Sequence, residues 1–218
     1  MTAPMIDIKH HLTDNLLMAY SAGILPEGFN LVVATHISFC DECRAHMHEF
    51  DAVGGAIMAA EDPIAMSDNS FSATLDLIEN SDVLTPFRHI SSGSFPTPLQ
   101  EYVGGDLDAV KWRKVGGGVR QAILKTDKST SVRLLHIPAG AAVPDHGHRG
   151  TELTLVLQGA FSDKTDSFYK GDIEVATEDL NHQPIAEMGE DCICLAATDA
   201  PLRFNSLIPR LLQPFLQI

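Results

Sequence analysis

Apolar residues keep a helical rhythm as far as Ser81 and then fall into short alternating runs. Thr13 is placed to cap a short helix in which Leu16, Leu17 and Tyr20 share a face, with Gly23 as its stop. After Pro26 a longer helical stretch runs through Leu31 and the Cys40/Cys43 pair to Phe50. The segment from Ala52 to Ala60 is Ala/Gly-rich and apolar, with Val53 and Ile57 on one face, and Asp62-Pro63 then breaks the pattern. A further helix is expected from Asn69 or Ser70, where Phe71, Leu75 and Ile78 stand at i, i+4 and i+7.

From Ser81 to Asp106 the chain turns to Ser, Pro and Gly, including Ser91-Ser92-Gly93-Ser94-Phe95-Pro96-Thr97-Pro98. Beyond it come strand-like runs at Val119–Lys125, Ser131–Ile137, Leu153–Leu157, Ile173–Ala176 and Cys192–Ala197, with turns at Pro138-Ala139-Gly140 and Lys170-Gly171-Asp172. Regular short strands point to a sandwich or barrel. The expected architecture is therefore α + β in two domains: a small helical bundle over residues 1–85, a linker over 86–108 and a β-barrel over 109–218.

Composition adds constraints. Hydrophobic residues make up 44% and charged residues 20% of the 218 residues, an ordinary globular balance. No apolar run reaches the ~18 residues of a membrane span. Asp7, Lys9, His10 and His11 stand where a signal peptide would place its apolar stretch, so a cytoplasmic protein is expected. The net charge of −14 is uneven: residues 1–90 hold three Lys/Arg against thirteen Asp/Glu, and the remainder twelve against sixteen. Such an acidic N-terminal half repels a phosphate backbone and attracts a basic protein partner.

The cysteines fall into two close pairs, Cys40/Cys43 and Cys192/Cys194. Read as one helix, His36-x-x-x-Cys40-x-x-Cys43 confines its three side chains to an arc of about 60°. Two thiolates and an imidazole then leave a tetrahedral zinc one ligand short. His10 and His11 are both available to supply it, and His46 and His48 lie close by. A site closed by two Cys and two His has no open position for catalysis and would staple distant elements together. A redox pair is the competing use of the same two thiols. The pair Cys192-x-Cys194 would stand with Cα atoms about 6.6 Å apart on one face of a strand, too far for an easy disulfide. Buried packing is its expected role, and His89 and His136 are read as structural or surface residues.

From Gly140 the chain reads GAAVPDHGHRGTELTLVLQG. It resembles the first cupin motif, G-x5-H-x-H-x3-E-x6-G, at Gly140, His146, His148, Glu152 and Gly159. The resemblance implies a double-stranded β-helix. His146 and His148, two apart, face the same way on a strand, and Arg149-Gly150-Thr151 turns the chain to bring Glu152 in from a neighbouring strand. The second motif is less faithful. Gly171-Asp172 supplies its turn, its Pro-x-Gly is absent, and His182 is the histidine downstream of Glu152. Three His and one Glu suit zinc or another divalent metal such as iron, manganese or nickel.

An early His, then HxxxCxxC within an acidic helical domain, is similar to the zinc-containing anti-sigma factor family. The stretch from His10 through Leu12, Thr13, Leu16, Leu17 and Tyr20 to Gly23 resembles its ChrR group in particular. Carried over by position, the resemblance implies His11, His36, Cys40 and Cys43 as ligands of a structural zinc. It also implies inhibition of an extracytoplasmic-function sigma factor by the helical domain, with the cupin domain needed for release under singlet oxygen and related oxidants. No direct contact with nucleic acid or membrane is expected, and no enzymatic activity. The barrel by itself would also support a metal-dependent enzyme of dioxygenase or isomerase type, with the helices accessory.

Overall fold

The structure, a computed structural model, describes residues 7–81 and 93–205. His89 and the apolar tail from Leu207 to Ile218 lie outside the described residues. The helices are α1 (Asp14–Ser21), α2 (Glu27–Ile37), α3 (Asp41–Ala60), α4 (Ser70–Glu79) and α5 (Thr97–Val103). Thr13 caps α1, its hydroxyl accepting from the Leu16 N–H, and Gly23 follows with φ +68°, a conformation that favours glycine.

One expectation fails here. The stretch from Pro26 to Phe50 is two helices, not one. α2 ends at Ile37, and Cys40 takes an extended backbone and caps α3, its thiol accepting from the Cys43 N–H at 3.4 Å. The break leaves His36 on one helix and the two cysteines at the start of the next. The stretch read as a linker also carries structure: α5 buries Leu99, and Phe95 just before it is buried too. The Asp106 carboxylate closes this loop by accepting from the Ser94 and Phe95 N–H groups at 2.7 and 2.8 Å.

The β part begins after a 3-10 turn at Leu107–Ala109. Its strands are β1 (Arg113–Gly116), β2 (Val119–Leu124), β3 (Ser131–Ile137), β4 (His146–Gly147), β5 (Glu152–Gln158), β6 (Ala160–Ser162), β7 (Ser167–Tyr169), β8 (Ile173–Ala176), β9 (Asn181–His182), β10 (Ile185–Ala186), β11 (Cys192–Thr198) and β12 (Arg203–Phe204). Six form an antiparallel sheet in the order β1-β2-β3-β11-β5-β8. Two three-stranded sheets, β10-β6-β7 and β12-β4-β9, complete the barrel.

Alternation along the central strands sends side chains to two different cores. Ile193, Leu195 and Ala197 of β11, with Leu153, Leu155 and Leu157 of β5, belong to one cluster with Leu31, Val32 and Val33 of α2. Cys192 and Cys194 point the other way and pack with Val156, Phe161 and Phe168 inside the barrel. The outer face of the large sheet is thus covered by the helices. α2 is buried on more than one face, as a helix between other helices and a sheet must be. Its N-terminus sits so close to the sheet that a Cβ on Gly28 would stand 2.4 Å from Thr130 and Val132 side-chain atoms. Glu27 fastens the same end, accepting from the Asp127 N–H at 2.5 Å and from the Tyr102 hydroxyl at 2.8 Å.

Past its first turns α3 leaves this core. Of its twenty residues only Cys43 is buried, and Val53, Ile57 and Met58 are exposed. No residue of α4 is buried, and Phe71 is 76% exposed.

Candidate metal centres

His11, just ahead of α1, His36 near the end of α2, and Cys40 and Cys43 at the start of α3 bring four donor atoms within 4.8 Å of one another. His11 Nδ1 lies 3.3 Å from Cys40 Sγ and 3.6 Å from Cys43 Sγ, and His36 Nε2 lies 3.3 Å from Cys43 Sγ. A tetrahedral zinc with bonds of about 2.0 Å to nitrogen and 2.3 Å to sulfur separates such donors by about 3.5 Å. The residues fit the ion. Burial pushes the Cys43 thiol up to about 12, the neighbouring Cys40 adding to it. Burial also holds His36 down at about 4, partly opposed by the Gly171 backbone, so the imidazole is neutral and available as a ligand.

His10 does not join this group. Its ring reaches Asp166 at 3.2 Å and Asp172 at 3.4 Å, and packs at a tilt against Phe168 with centroids 4.4 Å apart. His46 and His48 face Asp14 and Asp51 on the surface of the helical layer. The segment that carries His11 is tied to the barrel through Asp172, which is fully buried. One Asp172 oxygen accepts from the Lys9 and His10 N–H groups at 2.7 and 3.0 Å, and the other from the Tyr169 N–H at 2.8 Å. The Ile173 N–H donates back to the His10 carbonyl at 3.3 Å.

The second group lies inside the barrel. His146, His148, Glu152 and His182 also have donor atoms within 4.8 Å of one another. Sheet register makes this possible: His146 of β4 stands directly opposite His182 of β9. Glu152 arrives from β5 in the large sheet, not from a strand paired with β4. His148 Nε2 is 3.2 Å from His182 Nε2, the separation that two imidazoles on one ion of about 2.0–2.1 Å bond length require. His146 Nδ1 lies 2.9 Å from the Pro144 carbonyl, which fixes its proton there and leaves Nε2 for the centre.

His182 is held in the same way by two carboxylates that spacing along the chain did not reveal. Its Nδ1 is 2.7 Å from Asp163 and 3.2 Å from Glu174. Burial works to lower the His182 pKa, but Glu174 and Asp163 outweigh it and the net shift is upward. Burial likewise drives His148 down to about 4. Asp163, Glu174 and His182 form a third possible set of donors, but here the carboxylates face the ring nitrogen turned away from His148. Their arrangement is that of groups orienting a ligand.

Cys192 and Cys194 are free, buried and 3.5 Å apart at sulfur. His136 bridges Arg120 at 2.9 Å and Asp191 at 3.2 Å, a structural role. No helix among the described residues is long and apolar enough to cross a membrane.

Residues 100–201 match the family described as the ChrR cupin-like domain. The whole chain is similar to the anti-sigma-E factor ChrR of Cereibacter sphaeroides, 56% identical over 211 residues, covering 97% of this chain and 99% of that one. Among solved structures it is similar to a chain in the crystal structure of Rhodobacter sphaeroides SigE in complex with the anti-sigma ChrR. There the identity is 55% and the TM-score 0.78, over 88% of this chain and 99% of that one.

Proposed function

This chain belongs to the ChrR family of anti-sigma factors, and on that premise we propose that it binds and inhibits an extracytoplasmic-function sigma factor in the cytoplasm. The helical part makes the complex, and the barrel releases it in response to oxidative stress such as singlet oxygen. The observation that carries this reading is the apolar surface left without a partner on the far half of α3 and along α4, where Ile57, Met58, Phe71 and Ile78 are exposed. That surface stands on the more acidic half of the chain. Apolar anchors ringed by acidic groups suit a partner whose own DNA-binding surface is basic.

Zinc at His11, His36, Cys40 and Cys43 has a structural part in this reading. It ties the start of α1 to the junction of α2 and α3 and so aims α3 outward, with no coordination position left for chemistry. The barrel group of His146, His148, Glu152 and His182 holds zinc or another divalent ion that serves signalling, and the chain carries out no turnover.

The test is co-expression with the organism's extracytoplasmic-function sigma factor, followed by pull-down and transcription assays. The expected result is a stable complex that silences sigma-dependent transcription. Because α4 buries nothing in the free protein, Phe71→Ala and Ile78→Ala together should weaken the complex about thirtyfold or more. Their effect on the melting temperature should correspond to no more than about 0.5 kcal/mol. A folded, zinc-loaded protein that captures no sigma factor would defeat the proposal.

A further inference from the structure

The barrel encloses a cavity of about 350 Å³. That is within the usual range for small-molecule sites and is the space of roughly a dozen water molecules. Its origin is legible in β11, whose inward residues Cys194, Ala196 and Thr198 are all small, while β3 beside it carries Arg133, Leu135 and Ile137. The space above β11 is what those side chains leave open.

The cavity has two unlike ends. Sheet register places Arg133 of β3, Ala196 of β11, Thr154 of β5 and Glu174 of β8 in one row across the floor. Glu152 enters the lining two residues from Thr154, and His146 and His182 complete the polar end. Four residues along β3 from Arg133, about 13 Å at strand rise, stands Ile137, and Val143 and Phe161 line the cavity with it.

Arg133 is 5% exposed and its guanidinium is held in place, Nη1 donating to Gln121 at 3.2 Å and Nη2 to Ser131 at 2.7 Å. A guanidinium stays charged even when buried. Glu152 is close enough to interact with it electrostatically, and with a divalent ion on the histidines the summed charge of ion, guanidinium and Glu152 is positive. A preset guanidinium at one end of an apolar chamber matches an anionic head on an apolar body.

We propose that this cavity is a ligand site for a monocarboxylic acid with a compact, medium-length apolar body, its carboxylate directed to Arg133 and its body lying toward Ile137, Val143 and Phe161. Nothing in the sigma-binding reading requires such a ligand, and the site stands or falls separately from it.

The probe is octanoate, titrated calorimetrically into the metal-loaded, full-length protein, with octanol as the neutral isostere and acetate as the head group alone. Octanoate should bind at one site, and octanol and acetate at least about tenfold more weakly, the difference expected of a charge-assisted hydrogen bond. Arg133→Gln should weaken octanoate by about the same factor and leave octanol unchanged. Ala196→Leu fills the floor while leaving the guanidinium in place. It should abolish octanoate binding with metal content unaltered, which tests the site even if Arg133→Gln folds poorly. No binding of octanoate to the wild type, equal binding of octanol, or unchanged affinity in a folded Arg133→Gln or Ala196→Leu protein would each overturn the proposal.

Discussion

A buried thiol is a poor place for a negative charge, and Cys43 shows the consequence: burial, with Cys40 beside it, raises its pKa to about 12. A thiolate there needs a cation, so metal and local fold are linked. Cys43→Ser should lower the zinc content by about one equivalent and abolish sigma binding. Cys192→Ser, on the inner face of the barrel, should leave that zinc in place. Metal analysis of the purified variants checks both. The buried imidazoles make a second residue-level prediction, for the chelator-stripped protein. His36 and His148 sit near 4 when folded, against about 6.5 when unfolded. Between those values the unfolded chain holds more protons, so stability is full above about 6.5 and falls as the pH drops toward 4, by at most roughly 3 kcal/mol for each residue. His182 and Glu174, both shifted upward, run the other way and soften the slope. The urea midpoint of the stripped protein should be lower at pH 5 than at pH 7; a flat profile would refute this. Of the eight residues expected to face metal, His36, Cys40, Cys43, His146, His148 and Glu152 were legible as fixed spacings, whereas His11 rested on the family resemblance and His182 on lying downstream of Glu152. Asp163 and Glu174 were not legible, because a carboxylate that orients a ring is bound by no spacing rule.

Among the elements, the turn before β8 joins the two halves of the molecule. Asp172 accepts three backbone N–H groups, two of them from Lys9 and His10 immediately ahead of His11. Removing the carboxylate in Asp172→Ala leaves those donors to water or to nothing, a cost of about 2–4 kcal/mol. The segment that holds His11 should then fray. Zinc transfer to a competing chelator should speed up while the barrel metal, held by other residues, is retained; equal zinc-release rates in variant and wild type would count against the clamp. The elements also show where pattern reading stopped. Helical periodicity allowed one helix through His36 and Cys43, since the three side chains fit one face. No Pro or Gly marks the break at Ser38-Phe39, and the available sign was Cys40 followed by Asp41 and Glu42, a capping residue ahead of an acidic first turn. β11 carried a clearer sign that went unread: Cys192–Thr198 is apolar at nearly every position, and a strand without alternation is buried on both faces.

At the scale of the whole molecule, the composition break near the linker suggested two bodies, whereas one apolar cluster runs from Leu17 and Phe29 through α2 to Leu155 and Leu195. Composition cannot report this, because a strand face that packs on a helix looks the same as one that packs within its own barrel. The shared core has a functional consequence. On the function proposed above, an event in the barrel would reach the helices through α2 and the Asp172 turn without the linker carrying the signal. The two metal centres should therefore belong to one cooperative unit. On heating, zinc release and loss of the barrel's near-ultraviolet signal should coincide, and stripping the barrel metal should lower both midpoints together. Gly28→Ala is the substitution that should separate them. Its Cβ would meet Thr130 and Val132 at 2.4 Å, so α2 must lift from the sheet, although alanine itself favours the helix. This variant should unfold in two steps, zinc helices first, and should hold the sigma factor even when the barrel is oxidised. Two separate transitions in the wild type, or normal release from a Gly28→Ala protein that unfolds in two steps, would mean that the signal takes another route.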